Sequence, residues 1–295
     1  MSLYRVSPIP IDHIEIFRQQ TNPPSIPSSP TYGIDAPLGL IASLWSAPLY
    51  LYATLSGKFQ VWEALLHDIV KDIDLSEPCL DCGCGRGMVL LMLARLKKEL
   101  VLNGVRTSTL PVYGIDIFNS FDQTSNSSLS TCQNAASAEL LEYIILHTGT
   151  FLDLPFADDS FCLVTSSLAI HNVSNKEEKQ RAIRECARVT KPGGWLLIVD
   201  LKGSVALYEN TLRELAIHNV SNKEEKQRAI RECARVTKPG GWLLIVDLKG
   251  SVALYENTLR ELGWHSIERK WAGMKMMYGM WPCEILKGSK PLRTT

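Results

Sequence analysis

Residues 78–92 read Pro-Cys-Leu-Asp-Cys-Gly-Cys-Gly-Arg-Gly-Met-Val-Leu-Leu-Met, and this stretch decides the fold. An apolar strand end is followed by Asp81, by glycine at every second position (Gly83, Gly85 and Gly87), and then by an apolar helix. Such glycines let the backbone turn sharply and let a ligand approach without a Cβ in the way. The following helix offers free N–H groups and a positive dipole end. The pattern predicts a strand–loop–helix unit that binds a nucleotide-type ligand.

The spacing of these glycines differs from that of the two common nucleotide-binding loops. A dinucleotide fingerprint would place its third glycine at position 88, where this chain has Met88. A phosphate-binding P-loop would continue with Gly-Lys and a Ser or Thr, which Arg86-Gly87-Met88 does not supply. Asp81 would repel a pyrophosphate, but it suits a ligand that carries an ammonium and a sulfonium group. An NAD-dependent oxidoreductase is therefore the disfavoured alternative.

Composition and charge narrow the choice of partners. The chain has 295 residues, of which 45% are hydrophobic and 21% charged, typical of one globular domain with an elaboration or of two small domains. Its 31 Lys and Arg residues balance 31 Asp and Glu residues, and no basic stripe with interleaved aromatics is evident. We expect no nucleic-acid partner and predict a small or weakly charged substrate.

The eight cysteines are expected to be reduced thiols. Residues 1–10 are polar and contain proline, unlike a secretory signal, so a cytoplasmic protein is predicted. Cys79, Cys82 and Cys84 are spaced like metal ligands, but no second Cys/His pair is spaced to complete a tetrahedral site. No metal site is predicted.

Residues 169–215 and 216–262 are identical over 47 positions. Two copies do not make a solenoid, and identity without drift indicates a recent tandem duplication or an error in the predicted gene. Removing one 47-residue copy from 295 residues leaves 248. We expect the helix and strand of the first copy to enter the sheet and the helix at 251–262 to lead into the final hairpin. Residues 203–250 would then pack outside the sheet or be poorly ordered.

The N-terminal region, residues 1–60, differs in composition from the domain predicted at 61–295. Residues 1–31 are rich in proline and serine and predict an arm with little fixed structure. Residues 36–57 carry no charge but contain two prolines and two glycines, which would break a membrane span. They predict an apolar helical cap over the substrate cleft, with contact to a membrane surface as the alternative.

Strands alternate with helices after the glycine loop, which predicts an α/β fold with a parallel sheet wound on both faces. Continuous apolar runs predict buried strands at 112–117, 142–148, 161–168 and 195–200. The tail, residues 266–286, predicts two strands that close the sheet antiparallel.

Residues 78–92 resemble motif I of the class I S-adenosylmethionine-dependent methyltransferases, and Lys191–Gly194 with the strand that follows resembles another part of that family. The segment Ser166–Asn172 is similar to the one that lines the transfer site in methyltransferases of the ubiquinone-biosynthesis type, the methyltransferase type 11 group. The resemblance covers about residues 32–286, without one copy of the repeat. The chain also resembles fungal and bacterial members of the family that act on small molecules.

This resemblance implies a Rossmann-like seven-stranded sheet with helices on both faces and S-adenosylmethionine as the cofactor. It implies methyl transfer to an oxygen, nitrogen or carbon atom of a small-molecule acceptor, in secondary metabolism. A catalytically weak or inactive binding module is the alternative of another class. An arsenite methyltransferase is disfavoured, because the transfer-site segment carries no cysteine.

The predicted cofactor contacts begin at the carboxyl ends of the first two strands, where ligands bind in such sheets. The glycine loop would hold the methionine end of the cofactor, and an acid after the second strand would accept the ribose hydroxyls, unless it merely caps the turn. These contacts are Asp81, Gly83, Cys84, Gly85, Gly87, Asp116 and Ile117.

The adenine turn is predicted at 149–156. The family has an acid where this chain has Thr150, so the contact to the adenine amino group is uncertain at that position. Thr150 and the backbone of Phe151 are the predicted adenine contacts, with Asp153 as a substitute for the missing acid.

The transfer site is predicted at the end of the next strand, where Ser167 is a further predicted cofactor contact and His171 is the candidate catalytic residue. His171 could act as the general base that removes a proton from the acceptor. A histidine that only caps or packs at the helix entry is an equally weighted alternative. Its copy in the second repeat, His218, is expected to be idle.

Overall fold

A computed structural model describes residues 3–33, 52–173, 175–200, 207–208, 211, 242–248, 251–271, 277–278 and 281–289. The strands are β1 (Cys79–Cys82), β2 (Val112–Asp116), β3 (Ile144–Thr148), β4 (Phe161–Ser167), β5 (Thr190–Val199), β6 (Trp242–Leu248), β7 (His265–Trp271), β8 (Met277–Tyr278) and β9 (Trp281–Ser289). The α-helices are α1 (His13–Gln19), α2 (Lys58–Ile69), α3 (Met88–Leu102), α4 (Ser128–Ser137), α5 (Lys176–Val189) and α6 (Ser251–Glu261). Short 3-10 turns cover Val70–Asp72, Leu141–Tyr143 and Ile170–Asn172, and Ala53–Gly57 forms a π-helical turn.

The central sheet has five strands in the order β3-β2-β1-β4-β5, and all its pairs are parallel. This confirms the predicted Rossmann-like α/β fold. The chain leaves β1 toward β2 on one side and returns to β4 on the other, so the carboxyl ends of β1 and β4 flank the switch point of the sheet. Ligand sites form at such switch points.

Helices cover both faces of this sheet, as predicted. Along β1, Cys79 belongs to the apolar cluster that includes α2 and α3, while Leu80 and Cys82 belong to the cluster that includes α5. Successive side chains of a strand point to opposite faces, so the two clusters are the two cores. Every residue of β1 is buried, as expected of a central parallel strand.

The N-terminal arm is ordered along 3–33, so the prediction of little fixed structure there was wrong. The Asp12 carboxylate caps α1 at Ile14 N and also accepts from Leu146 N of β3, both at 3.0 Å. Tyr4 forms a β-bridge to Phe156. β3 is the edge strand, and its outward N–H groups need acceptors, which the arm supplies.

The two copies of the repeated strand have different partners. β5, from the first copy, pairs with β4 as predicted, while β6, from the second copy, pairs antiparallel with β9. β9 also pairs with β7 and β8, which gives a second, four-stranded sheet. In the described part of the chain, two sheets of five and four strands therefore take the place of the single seven-stranded sheet that we predicted.

The reason for this division is that α6 and the final strands follow directly after β6 in the chain, so the second copy is the nearer partner for β9. As predicted, the last helix leads into the closing antiparallel strands. Most of the segment 203–250, which we expected outside the sheet, lies outside the described residues, as does most of the cap at 36–57.

The predicted division at residue 60 falls within α2 and stays a prediction. Among the helices of the described part, none has the length and apolar character needed to cross a membrane.

Candidate active site

The predicted site residues lie around the carboxyl ends of β1, β2, β3 and β4. Gly83, Gly85 and Gly87 have φ values of +71°, +51° and +88°. These lie in the left-handed region that favours glycine, which explains the spacing in the sequence. A Cβ added at Gly83 would lie 2.3 Å from Cβ of Ala169, and one at Gly85 would lie 2.7 Å from Oε1 of Gln123. The loop is therefore approached closely by the segments after β4 and β2.

Asp81 lies beneath the loop and faces the protein interior. Its side chain is only 2% exposed, and its two carboxylate oxygens accept from Leu90 N at 3.0 Å and from the Thr165 hydroxyl at 2.8 Å. Burial raises the pKa of this carboxyl to about 7. The contacts of Asp81 in the structure tie β1 to α3 and β4 and do not point to a ligand.

Asp116 ends β2 beside the glycine loop. Its carboxylate accepts from Gly85 N at 2.8 Å and from Phe118 N at 2.5 Å, and Nδ2 of Asn126 lies 3.5 Å away. The side chain is 8% exposed, and burial raises its pKa. Oδ1 of Asn126 is buried without a hydrogen-bond partner in the described part of the chain. An unpaired buried acceptor of this kind costs free energy until a donor reaches it.

The other predicted cofactor contacts, Ile117, Phe151 and Thr150, differ in their surroundings. Ile117, directly after Asp116, is 59% exposed, an apolar surface beside the loop. The ring of Phe151 reaches the loop, with Cε1 3.5 Å from the Cβ position of Gly83. Thr150 is exposed, and its hydroxyl accepts from Leu152 N at 3.1 Å within its own turn.

Cys84 and Ser167 are held in the walls of the site. Cys84 is buried, and its burial raises the pKa of the thiol well above the ordinary value. The Ser167 hydroxyl accepts from the indole Nε1–H of Trp62 at 2.9 Å, which ties α2 to the carboxyl end of β4.

His171 follows β4 and contacts Asp200, the residue directly after β5. Nδ1 of His171 donates to Oδ1 of Asp200 at 2.5 Å, and the backbone N–H of His171 donates to Oδ2 at 2.9 Å. The hydroxyl of Tyr208 donates to the same Oδ2 at 2.8 Å. The His171 side chain is 20% exposed, whereas that of Asp200 is 1% exposed. We call these three residues the His171 cluster.

Sequence reasoning missed Asp200, Tyr208, Trp62 and Asn126. Asp200 had a signal, because it ends a continuous apolar strand, and the same rule selected Asp116. Tyr208, Trp62 and Asn126 had none, since their roles arise from contacts between segments far apart in the chain.

The comparisons with known proteins match this part of the chain. Residues 80–198 match the family described as a methyltransferase domain. A demethylmenaquinone methyltransferase from Halalkalibacterium halodurans is 36% identical over 144 residues, which are 48% of this chain and 51% of the relative. The enzyme of the same name from Mycobacterium tuberculosis H37Rv is 45% identical over 67 residues, 22% of this chain and 27% of the relative. The chain thus spans about half the length, or less, of these curated relatives.

A solved structure of a geranyl diphosphate methyltransferase in complex with SAM aligns with a TM-score of 0.44 and 12% identity, covering 88% of this chain and 97% of that chain. The family match confirms the predicted resemblance to methyltransferases. Residues 80–198 are thus similar to the family described as a methyltransferase domain, as the resemblance of the glycine loop predicted.

Proposed function

We propose that this protein transfers a methyl group from S-adenosylmethionine to a small, quinol-like acceptor. The observation that carries the proposal is that three features lie together at the carboxyl ends of the parallel strands. These are the glycine loop, the Asp116 carboxylate beside it, and the His171–Asp200 pair at the ends of β4 and β5. The name of the relatives, demethylmenaquinone methyltransferase, supports a quinone-type acceptor, which would be the nucleophile in its reduced, quinol form. A place in secondary metabolism remains part of the proposal.

The residues present fit the cofactor. Asp116 would accept hydrogen bonds from the ribose hydroxyls. Asn126 Oδ1 is a buried acceptor that lacks a partner among the described residues, and a ribose hydroxyl would supply its donor. Ile117 and Phe151 would pack on the adenine ring, and the backbone of the glycine loop would hold the methionine end. Asp81 would not contact the cofactor but would fix the glycine loop, because it joins β1 to α3.

The proposed chemistry requires orientation and the removal of one proton. Bound S-adenosylmethionine supplies an electrophilic methyl group, and the electron pair of the broken methyl–sulfur bond stays on sulfur. The acceptor would form the new bond to the methyl carbon with a lone pair on oxygen or nitrogen, or with the π electrons of a ring carbon, and would lose one proton to Nε2 of His171. The protein otherwise aligns the acceptor and excludes water.

One cofactor site is expected whatever the arrangement of the copies, because the glycine loop and Asp116 lie outside the repeat. The single-copy chain of 248 residues would carry the same site on one seven-stranded sheet.

Calorimetry with S-adenosylmethionine and with NAD tests this function, followed by transfer of a labelled methyl group to 1,4-naphthohydroquinone. We expect binding of S-adenosylmethionine and labelled product. Binding of NAD alone would support an oxidoreductase, and binding of S-adenosylmethionine with transfer to no quinol, phenol, amine or carbon acid would support the binding module. Absence of S-adenosylmethionine binding would overturn the proposal.

A further inference from the structure

The His171 cluster contains more hydrogen bonds than a histidine needs in order to act as a general base. Asp200 accepts hydrogen bonds at both carboxylate oxygens, two of them from His171 and one from Tyr208. Its side chain is 1% exposed, so these bonds lie out of water. Charge-assisted hydrogen bonds to a buried carboxylate are among the strongest that a protein forms. The ring of His171 is therefore fixed in orientation as well as in position.

The hydrogen bonds also fix the tautomer of the imidazole. A carboxylate only accepts, so Nδ1 of His171 must carry the proton that it shares with Asp200. In the neutral ring the lone pair then lies on Nε2. Nε2 makes no hydrogen bond to any residue that the structure describes, and the side chain is 20% exposed. Its proton-accepting edge is thus available to a small molecule.

The support behind Asp200 comes from the first repeat copy. Tyr208 is 3% exposed and packs with Ile170, Ala182 and Ile183, all from the same copy. The short turn that carries His171, the middle of α5 and Tyr208 thus share one small apolar cluster. This packing holds the Tyr208 hydroxyl against Asp200.

We propose that Asp200 is a positioning residue that, supported by Tyr208, holds His171 with Nε2 as the proton acceptor of the transfer step. The inference rests on the proposed function for the step itself, but the tautomer of His171 is a property of the protein alone. Asp200 does not contact the acceptor and acts through the imidazole. The proton that Nε2 takes from the acceptor later passes to water, and the Nδ1 proton stays between His171 and Asp200.

The variant Asp200→Asn gives a sharp expectation. The asparagine oxygen can keep accepting from the backbone N–H of His171 and from the Tyr208 hydroxyl. Its amide N–H₂ then faces ring nitrogen Nδ1 of His171. Nδ1 then becomes an acceptor, and the ring proton moves to Nε2. The repeat supplies the matched control, since Asp247 occupies the same position in the second copy.

The experiment uses the full chain labelled with ¹⁵N-histidine, and long-range ¹H–¹⁵N correlation reads the tautomer, with the His171 signal assigned by its loss in His171→Gln. We expect the proton on Nδ1 in the parent chain and in Asp247→Asn, and on Nε2 in Asp200→Asn. With 1,4-naphthohydroquinone, Asp200→Asn should lower kcat at least about tenfold and change the KM for S-adenosylmethionine less than about twofold.

A proton on Nε2 in the parent chain would overturn the proposal, and this result does not depend on any variant folding. An equal loss of kcat in Asp247→Asn and Asp200→Asn would also overturn it. Absence of S-adenosylmethionine binding in calorimetry would refute the proposed function, while the tautomer measurement would still decide the role of Asp200.

Discussion

At the scale of single residues, the glycine loop shows why its sequence is so constrained. Gly83 has φ +71°, and a Cβ there would meet Cβ of Ala169 at 2.3 Å. Real Cβ atoms do not approach so closely, so two independent reasons require glycine at this position. Ala169 begins the segment that carries His171, which means that the loop and the transfer segment are packed against each other.

Gly83→Ala should therefore weaken both stability and binding of S-adenosylmethionine. The left-handed backbone costs a residue with a Cβ about 1–2 kcal/mol, and the clash adds about 1–3 kcal/mol. Gly104→Ala is the matched control, because Gly104 has φ +67° but nothing within 4 Å of the added Cβ. Urea unfolding and calorimetry measure both effects. Equal losses in the two variants would contradict the steric part of the argument.

The buried carboxyl group of Asp81 should make the stability of the protein depend on pH. Its pKa is raised from 3.8 to about 7 by burial, so the folded chain holds a proton that the unfolded chain releases between these values. The free energy of unfolding should therefore fall as pH rises through this window, by on the order of 2–4 kcal/mol from this group.

Asp81→Asn removes that dependence and can keep both hydrogen bonds. The amide oxygen accepts from Leu90 N, and the amide N–H₂ donates to Thr165, whose hydroxyl turns to the Leu80 carbonyl 3.3 Å away. Urea unfolding at pH 5 and pH 8 compares the two chains. The parent chain should lose more stability than the variant between these pH values, and parallel pH curves would refute the raised pKa.

At the scale of elements, local sequence signals located the main strands and helices but not all their limits. The Lys191–Gly194 turn was predicted from its proline and glycines, yet it lies within β5, which begins at Thr190. The pairing with β4 is irregular there, with a register shift between Phe161 and Leu163. Residues 191–194 fall between the paired residues Thr190 and Trp195, and Gly193 has φ +74°, so the predicted turn persists as an irregularity within the strand.

The arm illustrates the same effect at the other edge of the sheet. Its composition favours disorder, but Asp12 accepts from Leu146 N of β3, and the Ile11 carbonyl lies 2.8 Å from Nδ1 of His147. Order in this segment comes from the sheet edge that it covers rather than from its own propensities.

Asp12→Ala should destabilise the chain by about 2–3 kcal/mol, because it removes a helix cap and leaves the N–H of Leu146 without its acceptor. Glu15→Ala, an exposed change in the same helix, should cost less than about 0.5 kcal/mol. Urea unfolding measures both. A small effect of Asp12→Ala would show that the arm contributes little to the sheet edge.

At the scale of the whole molecule, the repeat determines how the sheets are completed. β5 and β6 come from identical segments, yet one lies in a parallel sheet and the other in an antiparallel one. Identical sequences have identical propensities, so the difference comes from the chain that surrounds each copy. β9 lies nearer in the chain to β6 and pairs with it.

Deleting 216–262 should leave a folded chain that binds S-adenosylmethionine, and deleting 169–215 instead produces the same sequence. β5 would then gain β9 as its second neighbour, and the strands would close one sheet of seven. Hydrogen exchange should show protection of the Trp195–Val199 amides at least equal to that in the parent chain, and calorimetry should show unchanged affinity. An unfolded product, or one that binds no cofactor, would contradict this expectation.

The sequence by itself determined the domain type, the glycine loop, Asp116 at the end of β2 and the alternation of strands and helices. These features depend on neighbours a few residues apart, where spacing and periodicity act directly. Only the tertiary structure decided that Asp81 faces the interior, that Asp200 holds His171, and which copy of the strand meets which partner. Each of these depends on burial or on contacts between distant segments, and such contacts form only when the whole chain is packed.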